Sequence, residues 1–165
     1  PGDRDRLGGH LACLRSHMAA LRSALDAGHE HVLVLEDDFT FIPEIDIHLD
    51  DLVTFFERDY DYSVCLVATS KYGQMLPRDD LINTSWQECT STAGYLLSRK
   101  GAASLLPIFE NAHEQLARTG RAEYAADRCW AVLQPSGQML SFRRKWGYQV
   151  SSFSDIEGEV SRNFD

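Results

Sequence analysis

This 165-residue chain carries few basic residues and no long apolar segment, and both shortages narrow its possible functions. Sixteen Lys and Arg stand against 25 Asp and Glu, which gives a formal net charge of −9. A nucleic-acid-binding domain usually presents a basic face, so we expect no nucleic-acid partner. No apolar run approaches the roughly 20 residues that span a bilayer, so we also expect no transmembrane segment.

The sequence contains no paired-cysteine motif and no glycine-rich phosphate loop. Because no CxxC pair exists, a zinc site or a thioredoxin-like motif is not expected. The wide cysteine spacing fits free thiols in a reducing compartment. A signal-peptide core is also missing near residue 1, so a cytoplasmic location is expected. The four cysteines are Cys13, Cys65, Cys89 and Cys129.

The most informative segment present is 31–41, HVLVLEDDFTF, in which four apolar residues run directly into three acids. The apolar run 32–35 has no polar alternation, which predicts a strand buried on both faces that ends at Glu36. Ligands of open α/β sheets bind outside the carboxyl ends of the strands. The three carboxylates repel one another unless a cation offsets them, and hard oxygen ligands suit Mg²⁺ or Mn²⁺, which commonly also bind substrate phosphates. The structural alternative is a solvated strand end or a helix N-cap.

Apolar periodicity predicts one domain over residues 1–165 with alternating helices and strands. A helix over 7–27, a strand over 32–36, a helix that opens near Pro43 and ends near Arg58, and a strand over 62–68 predict an α/β fold with a mainly parallel sheet. Segment 69–90 has little periodicity and is predicted to be a long loop. The later predicted elements are a strand over 92–97, a helix over 99–117 capped by Ser98, a short helix over 124–133, a strand over 139–142, an extended piece over 148–150 and a polar tail over 151–165.

Five short motifs follow one another along the chain. They are ACLRSH at 12–17, VLEDD at 34–38, TAGYLLSRKGA at 92–102, Asp127 at the start of a short helix, and Gln149 followed by SDI at 154–156. This order resembles glycosyltransferase family 25, which contains lipooligosaccharide galactosyltransferases and collagen galactosyltransferases.

The resemblance implies a Rossmann-like GT-A fold that uses Mn²⁺ or Mg²⁺ and a nucleotide-sugar donor such as a UDP-sugar. It implies transfer of a galactose- or glucose-type hexose with inversion at the anomeric carbon. The acceptor would be a glycan, a glycolipid such as lipooligosaccharide, or a glycoprotein. A lipid-linked acceptor would bring the protein to the inner membrane surface. The loop at 69–90 would then lie on the acceptor side.

The resemblance also assigns roles to individual acids. Asp38 would be the main metal ligand, and Glu36 would bind the metal or the ribose. Asp37 would contact the sugar or a helix N-terminus. Asp127 would be the catalytic base, with helix capping as the alternative. Asp155 would be a second candidate for the base or would complete the metal shell.

Ser16 and His17 would serve the donor site, where His17 hydrogen-bonds a phosphate or a carboxylate; packing inside the first helix is the alternative. Tyr95 is expected in the core. Similar family members begin with a further strand and helix that help hold the nucleotide, and here that part is absent or reduced to residues 1–6. A catalytically inactive sugar- or nucleotide-binding module is therefore the competing function. A nucleotidyltransferase is a third, although no glycine-rich loop supports it.

Overall fold

The computed structural model describes residues 3–43, 45–68, 74–87 and 89–150. Its helices are α1 (Asp3–Asp26), α2 (Ile45–Glu57), α3 (Arg99–Thr119) and the short α4 (Ala126–Cys129). Its strands are β1 (His31–Leu35), β2 (Phe39–Phe41), β3 (Val64–Ala68), β4 (Gln74–Pro77), β5 (Ile82–Gln87), β6 (Gly94–Ser98), β7 (Met139–Phe142) and β8 (Gly147–Gln149). Two 3₁₀ segments, Ala122–Tyr124 and Trp130–Ser136, flank α4.

Six strands form one mixed sheet in the order β1-β6-β3-β7-β5-β4. The pair β3–β7 is parallel, whereas the other four neighbouring pairs of this sheet are antiparallel. The α/β class is confirmed, but the prediction of a mainly parallel sheet is not. The crossover through α2 does return β3 in the direction of β1, as expected. The antiparallel strand β6 lies between them, and local periodicity does not reveal this insertion.

The prediction that β1 is buried on both faces is wrong, because the side chains of one face are exposed. The strand also lies at one edge of the described sheet. Its burial alternates, and Leu33 and Leu35 are 39% and 37% exposed. Val32 and Val34 on the opposite face pack against the main core. An apolar run cannot by itself distinguish an edge strand from a central one, because the number of neighbouring strands depends on distant segments.

The predicted loop at 69–90 contains the antiparallel hairpin β4–β5, so the prediction of a long loop is wrong in this part. Asp79 organises the turn, because its Oδ1 accepts hydrogen bonds from the backbone N–H groups of Leu81 and Ile82 at 2.8 and 2.9 Å. Such an Asx turn is typical of a tight reversal. The mixture of polar and apolar residues on the two short strands concealed their periodicity.

Helices α1 and α3 pack against each other over one face of the sheet. The apolar stripe predicted on α1, with Leu14, Met18 and Leu21, is buried against Leu105 and Phe109 of α3. Helix α3 has the predicted cap, since Ser98 Oγ accepts a hydrogen bond from Gly101 N at 3.1 Å. The other face of the sheet carries a second apolar cluster. None of the helices in the described ranges is both long and apolar enough to cross a membrane.

The remaining strands form the small ribbon β2–β8, which fixes the surroundings of the acids that follow β1. Phe39 pairs with Gln149 in antiparallel register. Val150 N donates to the backbone oxygen of Asp38 at 2.9 Å. The ribbon therefore brings the end of the described chain back to the acidic segment.

Candidate active site

The acidic segment lies where three strand ends meet. Glu36 N donates to Ala93 O at 2.9 Å, just before β6, and Phe39 N donates to Glu36 O at 3.1 Å. The second of these bonds closes a tight turn from β1 into β2. Glu36 and Asp38 are thereby held between the start of β6 and the end of β8.

The Glu36 carboxylate accepts hydrogen bonds from three different parts of the chain. Its Oε1 accepts from Thr92 Oγ1 at 2.6 Å and lies 3.2 Å from His17 Nε2. Its Oε2 accepts from Gln149 Nε2 at 2.9 Å. The side chain is only 22% exposed, so these partners replace most of its water.

The two acids respond differently to this environment. Burial would raise the pKa of Glu36, but hydrogen bonds from His17 and Thr92 outweigh it and hold the pKa below 4.5. Burial raises the pKa of Asp38 above 3.8, and the charges of Glu36 and Asp37 raise it further. A hydrogen bond from Gln149 lowers the pKa but does not cancel this rise. Glu36 is therefore held as a carboxylate, whereas the charge of Asp38 is disfavoured in this arrangement.

His17 links the acids to the core through both nitrogens of its ring. The side chain is 5% exposed and its ring lies 6.0 Å from that of Phe109. Its Nδ1 lies 2.7 Å from the hydroxyl of Tyr95. Because an ionised Glu36 can only accept, Nε2–H donates to it, and Nδ1 is hydrogen-bonded to the Tyr95 hydroxyl. Packing and hydrogen bonding to a carboxylate, both considered for His17, are combined in one residue.

A single amide nitrogen connects the two acids. Gln149 Nε2 lies 2.9 Å from Glu36 Oε2 and 3.3 and 3.4 Å from the two Asp38 oxygens. Three carboxylate oxygens thus converge on one amide NH₂ group, whose hydrogens carry partial positive charge. Oxygens of two acids around one point form the type of donor set that hard cations such as Mn²⁺ and Mg²⁺ prefer.

A second group of side chains lies beside Glu36. Burial, followed by the charges of Glu36 and Asp127, raises the pKa of the Cys13 thiol to about 12. Burial and the charge of Asp127 likewise raise the pKa of Cys129 to about 12. The charges of both acids raise the pKa of the same thiol, and α4, which carries Asp127, contacts α1, which carries Cys13. The N-cap residue of α4 is Ala125, without a side-chain cap bond, so helix capping does not account for Asp127.

Other residues predicted from the sequence contribute less to this arrangement. Asp37 and Ser16 are exposed. Asp155 lies outside the described residues, as do the tail 151–165 and residues 69–73 of the predicted acceptor-side loop. The roles proposed for these residues remain predictions.

Sequence reasoning missed the roles of Thr92 and Gln149 at Glu36. Both belong to motifs that resemble the family, but neither motif specifies a contact. Tyr95 was expected only as a core residue, whereas it is both buried and hydrogen-bonded to His17.

A cavity of about 290 Å³ lies at the other end of β1, lined by His31, Phe55, Phe56, Asp59, Tyr60 and Tyr62. The acids follow the last residue of β1, whereas His31 is its first. A five-residue strand separates its ends by about 13 Å. This cavity is therefore distinct from the acidic segment.

Comparison with known proteins agrees with the motifs. No curated protein matches this chain significantly. Residues 6–129 match glycosyltransferase family 25 (LPS biosynthesis protein). The matched region covers most of the chain and includes His17, Glu36, Asp38, Thr92 and Asp127. The chain therefore belongs to glycosyltransferase family 25.

Proposed function

We propose that this chain is the catalytic domain of a metal-dependent, inverting hexosyltransferase with a GT-A fold. It moves a hexose from a UDP-type nucleotide sugar to a glycan or lipooligosaccharide acceptor. Family membership indicates a glycosyltransferase acting in lipopolysaccharide biosynthesis. The metal ion, the nucleotide-sugar donor and the inversion of stereochemistry go beyond what family membership indicates and are part of the proposal.

One observation supports the proposed metal site. Carboxylate oxygens of Glu36 and Asp38 lie 2.9 to 3.4 Å from the same atom, Gln149 Nε2. Two carboxylates this close repel each other unless positive charge lies between them, and the amide hydrogens supply only partial charges. A divalent cation would supply a full counter-charge to the same oxygens. Glu36 and Asp38 would hold this ion, and Asp155 is proposed as a further ligand.

The bound cation would act as a Lewis acid that offsets the negative charge building on the departing diphosphate. Glu36 contributes a carboxylate whose orientation is already fixed by Thr92 and His17. Such fixed orientation reduces the reorganisation needed when the nucleotide binds. Asp38 has fewer fixed partners, and a cation would offset the cost that burial and the neighbouring acids impose on its charge.

The acceptor hydroxyl must lose its proton as its oxygen attacks the anomeric carbon and the bond to the diphosphate breaks. A positioned carboxylate within reach of that hydroxyl would take the proton as a general base. We assign this role to Asp127, which is half-buried at the start of α4 and acts on the same thiol as Glu36. His17, Ser16 and Asp37 are assigned to the donor side.

The test compares hydrolysis and transfer of nucleotide sugars with and without Mn²⁺. We expect Asp38→Asn to abolish Mn²⁺-dependent turnover with the fold retained. Asp127→Asn should abolish transfer while leaving Mn²⁺-dependent UDP binding intact. Asp50→Asn removes an exposed acid on α2 and serves as the charge-matched control with wild-type turnover.

Turnover of Asp38→Asn at near the wild-type rate would overturn the metal assignment. Loss of UDP binding in Asp127→Asn would contradict the base role. Tight, metal-dependent UDP binding by the wild-type protein without any transfer or hydrolysis would instead support the competing function, a catalytically inactive nucleotide-binding module.

A further inference from the structure

We infer that Cys13, His17 and Glu36 form a binding site for a thiophilic divalent metal ion, with Zn²⁺ as the physiological candidate. Sulfur, nitrogen and oxygen donor atoms of these three side chains all lie within 4.8 Å of one another. The site shares the Glu36 side chain with the all-oxygen site proposed above but uses its other oxygen, and it does not depend on the proposed transferase activity.

The helix α1 supplies two of the three donors in a suitable spacing. Cys13 and His17 are four residues apart, and residues at this spacing share one face of a helix. Both lie on the side of α1 that faces the end of β1, where His17 Nε2 is 3.2 Å from Glu36 Oε1. A helical pair and one residue from another element can surround an ion without rearranging the backbone.

The donor set distinguishes zinc from the harder cations. Zn²⁺ is bound by thiolate, imidazole and carboxylate at about 2.0 to 2.3 Å in tetrahedral geometry. Mg²⁺ and Mn²⁺ favour oxygen ligands. Three protein ligands leave a fourth tetrahedral position for water or another ligand. Small side-chain shifts suffice to bring donors within 4.8 Å of one another onto one ion.

Neighbouring side chains already hold two of the three donors, His17 and Glu36, in place. Tyr95 hydroxyl lies 2.7 Å from His17 Nδ1, the nitrogen that would face away from the metal. Thr92 Oγ1 donates to Glu36 Oε1 at 2.6 Å. Outer partners of this kind fix the orientation of metal-binding histidines and carboxylates, and here they are formed before any ion binds.

Binding would change protonation in a defined way. The Cys13 thiol would release its proton to solvent as its sulfur binds the ion. His17 would bind the ion through an Nε2 that carries no proton, and its Nδ1–H would donate to the Tyr95 oxygen. Glu36 faces His17 through Oε1 and Gln149 through Oε2, so its two oxygens serve two different sites.

The test uses Co²⁺ as a spectroscopic substitute for Zn²⁺ on the purified full chain without nucleotide. A thiolate ligand gives a sulfur-to-cobalt charge-transfer band in the near ultraviolet. We expect one equivalent of Co²⁺ to produce this band, and Zn²⁺ to displace it. Cys13→Ser should abolish the band, whereas Cys129→Ser should retain it. Cys129 is the matched control because it is also half-buried and close to Asp127.

Tyr95→Phe removes only the outer partner of His17 and should weaken Zn²⁺ binding about 10- to 100-fold, measured by competition with a chromophoric chelator. This variant also decides the question if Cys13→Ser does not fold. No band at stoichiometric Co²⁺, a band that survives in Cys13→Ser, or an unchanged affinity in Tyr95→Phe would each overturn the site. Asp38→Asn should keep the band while losing Mn²⁺-dependent UDP binding, so failure of one proposal is distinguishable from failure of the other.

Discussion

Gly101, in the first turn of α3, provides a demanding test of the packing that supports the site. A Cβ atom at this position would lie 1.9 Å from the backbone oxygen of Ser63 and 2.6 Å from its carbonyl carbon. The clash is with backbone rather than with a flexible side chain. Ser63 cannot easily retreat, since its N donates to Gln138 O at 2.8 Å and its oxygen accepts from Ser98 N at 3.2 Å.

The expected cost of Gly101→Ala follows from these contacts. Overpacking of a well-packed interior costs about 1 to 3 kcal/mol, and loss of the Ser98–Ser63 hydrogen bond adds about 1 kcal/mol. The gain in helix propensity from glycine to alanine returns about 0.5 to 1 kcal/mol. We therefore expect a net loss of about 1 to 3.5 kcal/mol in the free energy of unfolding, or roughly 2 to 14 °C in Tm for a chain of this size.

Urea denaturation followed by far-ultraviolet circular dichroism measures this change. The midpoint should fall while the m-value stays constant. Gly8→Ala is the matched control, because Gly8 lies in α1 and its Cβ would meet no atom within 4 Å. This control should stabilise the protein by about 0.5 to 1 kcal/mol. A Gly101→Ala protein within 0.5 kcal/mol of wild type would refute the packing argument.

Three further predictions concern the acids. Asp38→Asn should raise Tm at neutral pH while abolishing Mn²⁺-dependent UDP binding, since the raised pKa of Asp38 means that folding disfavours its charge. The gain in Tm of Asp38→Asn should disappear as the pH falls below 3.8, and a gain in Tm that is independent of pH would contradict this reasoning. Glu36→Gln should lower Tm at neutral pH, because the lowered pKa of Glu36 stabilises the fold above pH 4.5. This contribution is lost as the pH falls through the folded-state pKa, so a difference in stability that persists in acid would refute the charge argument. Thr92→Val removes a 2.6 Å hydrogen bond to Glu36 and should cost about 1 to 2 kcal/mol in urea denaturation, so an unchanged midpoint would show that this bond contributes little.

Much of the helical structure could be predicted because its signals are local. The apolar stripe of α1 and the Ser98 cap of α3 each lie within one or two turns of sequence. Gly120 ends α3 in the left-handed conformation, with φ of 67°, which glycine adopts readily. None of these features depends on which strand pairs with which.

Strand neighbours were not predictable in the same way. The direction of β3 relative to β1 follows from the crossover through α2, but the position of β6 between them depends on pairing across the whole sheet. The register Leu35 to Gly94 in the β1–β6 pair sets Thr92 beside Glu36. A pattern within either segment contains no information about the other.

The candidate site was therefore predicted only in part. The acids were identified because three carboxylates directly follow an apolar run and repel one another unless a cation offsets them, and their position at the strand end is confirmed. Thr92 and Gln149 are 56 and 113 residues from Glu36 along the chain, so their contacts follow from tertiary structure alone. A metal site at Cys13 and His17 was also not predicted, because the spacing of this pair differs from common zinc motifs.

The central claim is that Glu36 and Asp38 bind one divalent cation together with a nucleotide diphosphate. Anomalous diffraction from crystals grown with Mn²⁺ and UDP tests it most directly. We predict a manganese peak within about 2.5 Å of both carboxylates, with the Gln149 amide nitrogen displaced from between them. A diphosphate bound with no peak at these oxygens, and with Gln149 still bridging the two acids, would contradict the claim.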